Sequence, residues 1–281
     1  MADVVTRFAP SPTGYLHLGH AHSALFAWHR AKEAGGRFLL RIEDIDLGRC
    51  RPEYEAAIFE DLIWLDLTWE EPVRRQSEHL ADYEAVLERL TDEGLLYPCF
   101  CTRKEIEAEV AASAVAPHGP EGPLYPGICR GRSHLEQERR IAGGAAYALR
   151  LDVAAAARLA GPLTWEEKDQ ATVAAEPTSH GDVVLGRKDV RTSYHLAVTL
   201  DDATQGVTLV TRAEDLRPAT DVHRLLQALL DLPVPVWQHH GLVLDKAGRR
   251  LAKRHDALSI RTLRETGKSP AEVRAMAGFP D

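Results

Sequence analysis

The first forty-odd residues limit the fold more than any other part of the chain, because they read as strand, tight turn, helix and strand in one short run. Val4 to Phe8 has the apolar continuity of a buried strand. Pro10-Ser11-Pro12-Thr13-Gly14 carries two prolines and a glycine and cannot be helical. Leu18 to Ala34 predicts a helix closed by Gly35-Gly36, and Phe38 to Ile42 predicts a second strand. That is the size of a βαβ crossover, which commits the chain to an α/β architecture with a parallel sheet. In such sheets ligands bind outside the carboxyl ends of the strands, the edge where His17, His20 and Glu43 fall.

Downstream, Glu53 to Leu65 predicts an amphipathic helix with Ile58, Leu62 and Leu65 on one face, and Leu80 to Leu90 another with Tyr83, Leu87 and Leu90. Beyond Gly94 the character changes. A Cys-containing segment, the loop-like Ala116-Pro117-His118-Gly119-Pro120-Glu121-Gly122-Pro123 and the strand-like Tyr147 to Leu151 read as an inserted module. Strand pattern resumes at Asp182 to Leu185 and at His195 to Thr199, and Ala219 to Leu230 predicts a helix started by Pro218. The expected division is therefore 1–94 and 181–281 as two halves of one catalytic domain, with 95–180 inserted between them. Trp28, Trp64, Trp69, Trp165 and Trp237 read as core or half-buried residues, since no basic residues interleave them as a base-stacking platform would require.

Composition narrows the partners. With 44% hydrophobic and 27% charged residues the chain has an ordinary globular make-up. No run approaches the roughly 18 apolar residues of a membrane span. Met1 leads straight to strand-like Val4-Val5 without a basic, apolar leader, so a cytoplasmic setting is expected. A net charge of −8 argues against wholesale binding of a nucleic-acid backbone and restricts any RNA contact to a local basic patch. Arg130, Arg132, Arg139 and Arg140 offer such a run, although a solvated charged helix is the simpler reading of it. Of the cysteines Cys50, Cys99, Cys101 and Cys129, the last three lie in one region, which favours a metal over disulfides in a reducing compartment. Cys50 reads as structural or incidental.

Two distant segments point to phosphate chemistry. His17-Leu18-Gly19-His20 places imidazole donors and helix N-terminal amides where a strand runs into a helix, and Lys253 within Arg250-Leu251-Ala252-Lys253-Arg254 supplies a distant cation. The stretch Arg7-Phe8-Ala9-Pro10-Ser11-Pro12-Thr13-Gly14-Tyr15-Leu16-His17-Leu18-Gly19-His20, followed by Arg41-Ile42-Glu43-Asp44-Ile45-Asp46, resembles the glutamate branch of the class I aminoacyl-tRNA synthetases over most of the chain. The resemblance implies a Rossmann-type catalytic domain in which His17 and His20 stabilise the pentacovalent phosphorus formed when an amino-acid carboxylate attacks ATP. It places Pro10, Ser11, Gly19, His17, His20 and Lys253 at ATP, with Mg²⁺ carried by the phosphates. Arg250 to Arg254 resembles the second signature of that class, with Arg250 where lysine and Ala252 where serine usually stand, a change that removes one possible phosphate hydrogen bond.

By the same resemblance, Arg7 and Arg212 flank the side-chain carboxylate of L-glutamate, assisted by the Tyr194 hydroxyl, while Glu43 holds the α-ammonium and Ser11 lies alongside. The planar fork of arginine suits a carboxylate. The block Ser193-Tyr194-His195-Leu196-Ala197-Val198 through Thr211-Arg212-Ala213-Glu214-Asp215-Leu216 carries this match, with Ala213 where glycine is usual. Asp44 and Asp46 are expected to have a structural or substrate-end role rather than a metal. Cys99, Cys101, Tyr125 and Cys129 form the zinc proposal: three sulfurs and one harder ligand suit a tetrahedral ion, and Tyr125-Pro126-Gly127-Ile128-Cys129-Arg130 resembles the zinc element of the same group. His118 and His134 are alternative fourth ligands.

After Arg254 only 27 residues remain, too few for a folded anticodon-binding domain of roughly 50 residues or more. This resembles the short members of the branch that activate glutamate without tRNA and transfer it to the cyclopentene ring of queuosine in the anticodon loop of tRNA(Asp), with a monomer docking directly on the anticodon stem-loop. Two alternatives stand beside it: a truncated enzyme that charges a tRNA 3′ end, and a noncatalytic glutamate or nucleotide sensor.

Overall fold

A computed structural model describes residues 3–112, 118–120, 122–242 and 259–280. In chain order the elements are β1 (Val5–Phe8), α1 (Leu18–Glu33), β2 (Arg37–Ile42), α2 (Pro52–Trp64), β3 (Glu70–Arg75), α3 (Leu80–Asp92), β4 (Leu96–Cys99), α4 (Arg103–Ala112), β5 (His118–Gly119), β6 (Gly122–Pro123), α5 (His134–Ala142), β7 (Ala148–Leu151), α6 (Val153–Ala160), β8 (Thr164–Glu166), β9 (Thr172–Ala174), β10 (Val184–Gly186), α7 (Tyr194–Thr204), β11 (Leu209–Ala213), α8 (Ala219–Leu229), β12 (Val236–His240), α9 (Ile260–Glu265) and α10 (Pro270–Met276).

β1, β2 and β3 form a parallel sheet in that order, and β11 and β12 form a parallel pair. The two run edge to edge: the Thr208 amide donates to the Val5 carbonyl at 3.0 Å, and the Val5 amide to Thr208 Oγ1 at 2.9 Å. The hydrogen bonds between Val5 and Thr208 join segments about two hundred residues apart, and the parallel pairing of β1 with β2 is the one the opening βαβ unit predicts. Between them in sequence, β10, β7 and β4 make an antiparallel sheet. The tight return from α1 into β2 needs glycine, because Gly35 has φ +63° and a Cβ on Gly36 would sit 2.0 Å from the Val4 carbonyl oxygen.

One apolar cluster packs α1 against β1, β2, α2, α9 and α10 through Leu25, Leu40, Ile58, Leu62, Leu263 and Val273. A second packs α3 and β7 against α7 and α8 through Tyr83, Leu87, Leu151, Leu196 and Leu226. Trp165 and Trp237 are buried edge to face in a third. Trp28, Trp64 and Trp69 are partly buried against the first.

The strand expected at His195 to Thr199 is instead part of helix α7. Ser193 caps it, accepting from the Leu196 amide, and its Leu196, Ala197, Val198 and Thr199 are all buried. Four consecutive buried residues show no helical alternation of apolar and polar positions, so this short run with β-branched residues reads like a strand. Among the described residues no helix is long and apolar enough to cross a membrane.

Candidate active site

At the carboxyl end of β1 the chain turns through Pro10 and Ser11 and enters α1 at His17. His17 is the N-cap: its Nδ1 accepts from the Gly19 amide at 3.1 Å, and His20 Nδ1 accepts in return from the His17 amide at 3.2 Å. Two side chains thereby satisfy two orphan amides of the helix start. The rings stack with centroids 3.8 Å apart. With each Nδ1 engaged as acceptor, the ring proton of the neutral tautomer belongs on Nε2, which makes each imidazole a donor next to the positive end of the helix dipole.

These residues open onto a cavity of about 350 Å³ that Arg7, Pro10, Ser11, His17, Gly19, His20, Glu43, Tyr194 and Arg212 all line. Nine positions chosen from sequence therefore meet in one place. Asp215, His240 and Leu242 complete its wall nearest β12. Lys253, Arg250 and Ala252 lie outside the described residues.

The two cavity arginines are held differently. Arg7 is neutralised: Nε lies 2.9 Å from Asp202 Oδ1, Nη2 lies 3.3 Å from Oδ2, and Nη1 donates to the Thr211 carbonyl at 3.0 Å. Burial works against the charge on Asp202, but Arg7 and Arg41 together keep its carboxyl below the ordinary range. Arg212, only 5% exposed, meets neutral acceptors. Its Nη2 donates to Thr220 Oγ1 at 2.6 Å, Nη1 to His223 Nδ1 at 3.2 Å and to Tyr194 Oη at 3.5 Å, and Nε to His239 Nε2 at 3.1 Å. Burial, helped by the like charge of Arg7, pulls the guanidinium below its usual pKa against the smaller opposing pull of Tyr194 and Asp202. Burial likewise lowers His223, and lowers His239 to about 4, so both imidazoles are neutral near pH 7.

Glu43 follows β2, with Arg41 Nη2 3.2 Å from its Oε1. Burial pushes its carboxyl up against the pull of Arg41 and Arg7. Asp44 is occupied by the Ser77 amide at 2.8 Å and the Ser77 hydroxyl, and Asp46 by Arg49 and Arg187.

Away from this cavity, Cys99 at the end of β4, Cys101 and Cys129 bring their sulfurs within 4.8 Å of one another. Tyr125 Oη lies 3.4 Å from Cys99 Sγ and 3.7 Å from Cys101 Sγ. Burial raises the Cys129 thiol, yet hydrogen bonds from the Phe100 backbone and Arg132 bring it down to about 7. Three clustered sulfurs, one readily ionised, and an adjacent phenol are a donor set that fits a thiophilic ion such as zinc. His134 instead lies on exposed α5 beside Glu138, and the side chain of His118 lies outside the described residues.

Sequence reasoning missed Asp202, Thr220, His223, His239 and Glu167 as site components. Their signal was weak: adjacent aspartates in an apolar helix and histidines in buried runs become informative only when the fold shows what they face.

Residues 3–277 match the family model for the catalytic domain of class I tRNA synthetases of the E and Q type. The chain is 50% identical to the glutamyl-Q tRNA(Asp) synthetase of Rhodobacter capsulatus, covering 98% of this chain and 100% of that protein. It is 39% identical to the glutamate–tRNA ligase of Aquifex aeolicus over 96% of this chain and 55% of the ligase. Among solved structures it resembles a glutamate tRNA ligase from Elizabethkingia meningosepticum in complex with its amino acid. The TM-score is 0.80 at 27% identity, over 98% of this chain and 60% of that one.

Proposed function

The chain belongs to the class I tRNA synthetases of the glutamate and glutamine type, an enzyme family of ligases, and from that premise we propose that it activates L-glutamate with ATP and transfers it to queuosine in the anticodon loop of tRNA(Asp). The observation that carries the glutamate part is the contrast between the arginines. Arg7 already has its carboxylate in Asp202, whereas Arg212 has no carboxylate within ion-pair distance among the described residues. A ligand carrying one side-chain negative charge completes that balance. A neutral amide of the same shape leaves a buried cation uncompensated, at a cost of several kcal/mol by order of magnitude.

In the reaction, the α-carboxylate oxygen of glutamate attacks the α-phosphorus of ATP, the bond to the bridging oxygen breaks, and pyrophosphate leaves. The glutamyl-adenylate needs no tRNA for its formation. Glu43 holds the α-ammonium, Arg212 and Tyr194 face the side-chain carboxylate, and Arg7 with Ser11 borders it. His17 and His20 donate from Nε2 to phosphate oxygens whose charge grows in the transition state, and such donors act strongly in a water-poor site. Lys253 adds a cation to the leaving phosphates. Mg²⁺ accompanying ATP neutralises part of the phosphate charge. In the second step a hydroxyl of the cyclopentene ring of queuosine attacks the acyl carbon and AMP leaves. Zinc, held by Cys99, Cys101, Cys129 and Tyr125, has a structural role, fixing the segment after β4.

The tRNA part rests on the relatives. The match runs the whole length of the Rhodobacter protein named for tRNA(Asp), whereas the chain spans about 60% of the solved ligase. The test is transfer of labelled glutamate, with ATP and Mg²⁺, to queuosine-containing tRNA(Asp), unmodified tRNA(Asp) and tRNA(Glu) in parallel. Label on the modified tRNA(Asp) alone is expected. Label on the 3′ end of tRNA(Glu) would replace the reading with a charging enzyme, and no label without pyrophosphate exchange would leave a sensor.

A further inference from the structure

We infer that Glu167 and His239 form a positioning pair that aims Arg212 at its ligand while leaving its charge uncompensated; this rests on the reading that Arg212 receives the side-chain carboxylate of glutamate. Glu167 follows β8 and is fixed to β12, where the Lys168 amide donates to the Trp237 carbonyl at 2.7 Å. Its carboxylate is bound twice by one residue: Oε1 accepts from the His239 amide at 2.7 Å, and Oε2 lies 2.6 Å from His239 Nδ1. Both side chains are 2% exposed.

The carboxylate dictates the tautomer. Nδ1 carries the proton that Glu167 accepts, so Nε2 keeps its lone pair, and Arg212 Nε donates to it at 3.1 Å. A carboxylate placed directly on Arg212 would hold it equally well but would neutralise it, as Asp202 neutralises Arg7, and would compete with the ligand for the same donors. An interposed neutral imidazole separates the two tasks: it fixes the Nε edge of the guanidinium and cancels none of its charge. His223 and Thr220 on α8 hold the Nη edge the same way, as neutral acceptors. Positioning by a carboxylate-oriented imidazole is the arrangement by which histidine ligands are held in metal sites, here applied to an arginine.

The experiment is calorimetric titration of the full chain with L-glutamate, and separately with ATP. His239→Leu is expected to weaken glutamate binding about tenfold while ATP affinity stays within about twofold, and Glu167→Gln to act in the same direction. The decisive comparison uses Arg212→Lys, which keeps the charge but lacks the Nε that His239 holds. In that background His239→Leu is expected to change glutamate affinity by less than about twofold, because the two residues act as one unit. An equal loss in both backgrounds, or a His239→Leu protein that binds glutamate like the wild type while Arg212→Lys binds weakly, overturns the positioning role alone. Wild-type affinity in Arg212→Lys shows that no aimed Nε is needed and overturns the positioning role alone, whereas wild-type glutamate affinity in Arg212→Gln removes the carboxylate reading and this inference with it. Should His239→Leu fail to fold, Glu167→Gln carries the same comparison.

Discussion

Arg7 and Arg212 are both buried at 5% exposure in one cavity, and their partners make them opposites. Removing Arg7 would leave Asp202 paired with Arg41 alone, whereas removing Arg212 takes an ion-pair partner from no carboxylate among the described residues. Arg212→Gln is therefore expected to lower kcat/KM for glutamate about 100-fold, the loss of a charge-assisted contact worth roughly 3 kcal/mol. The same change is expected to raise stability by about 1 kcal/mol, since a buried unpaired cation is a net cost. Pyrophosphate exchange and urea unfolding on one preparation check both signs; a variant that is both inactive and less stable would show that Arg212 holds the fold together. The resemblance to the synthetase motifs made the nine cavity positions legible, because each sits in a motif of a few consecutive residues. What the sequence concealed is that Arg7 comes already neutralised, since its partner lies 195 positions away. Periodicity and propensity carry no information on such a pairing.

At the level of elements, the helices with a polar face were legible, and α7 was misread as strand because Leu196 to Thr199 are buried in succession and show no helical alternation. Packing between elements was not legible at all, as Asp61 on α2 illustrates. Neither carboxylate oxygen has a hydrogen-bond partner, and Arg264 of α9 is 3.8 Å away. Burial pushes the carboxyl up to about 6. The folded pKa thus exceeds the unfolded one, the folded state holds the proton more tightly, and stability is lost as pH rises from near 4 through about 6. Asp61→Asn removes this dependence. Its stability relative to wild type is expected to improve by roughly 1–2 kcal/mol between pH 5 and pH 8, read from urea midpoints at both values. A constant difference would mean that Asp61 does not titrate in the folded state. The cysteine element makes a separate prediction: the purified chain carries about one equivalent of zinc, and a strong chelator lowers its melting temperature by several degrees. Cys129→Ser is expected to abolish the zinc signal without touching the His17–His20 cap.

For the molecule as a whole, the question is what makes one cooperative body of a cavity whose walls come from both ends of the chain. The shared sheet edge between Val5 and Thr208 is two hydrogen bonds, too little by itself. The stronger tie is a pair of neighbouring aspartates on α7 that collect donors from the first hundred residues. Asp201 receives Arg74 at 2.8 Å, Gln76 at 2.8 Å and the Tyr83 hydroxyl at about 3 Å. Asp202 receives Arg7 at 2.9 Å and the fully buried Arg41 at 2.8 Å. Strands β1, β2 and β3 are thereby pinned to one helix, and the pinning residues Arg7 and Arg41 reach the cavity and Glu43. Buried networks of this kind contribute modestly when intact and cost heavily when one partner is removed. Asp202→Asn leaves two buried guanidiniums short of charge and is expected to destabilise by roughly 3–5 kcal/mol, opposite in sign to Arg212→Gln. Because the tie spans the two halves, the loss should also appear as lost cooperativity. Tryptophan fluorescence reports Trp28, Trp64 and Trp69 on one side and Trp165 and Trp237 on the other, and single-tryptophan versions of the wild type should unfold at one urea concentration. In Asp202→Asn the two sets are expected to separate. Coincident transitions in the variant would assign the coupling to the apolar contacts of α7 and α8, and the network would then serve only to aim Arg7 and Glu43.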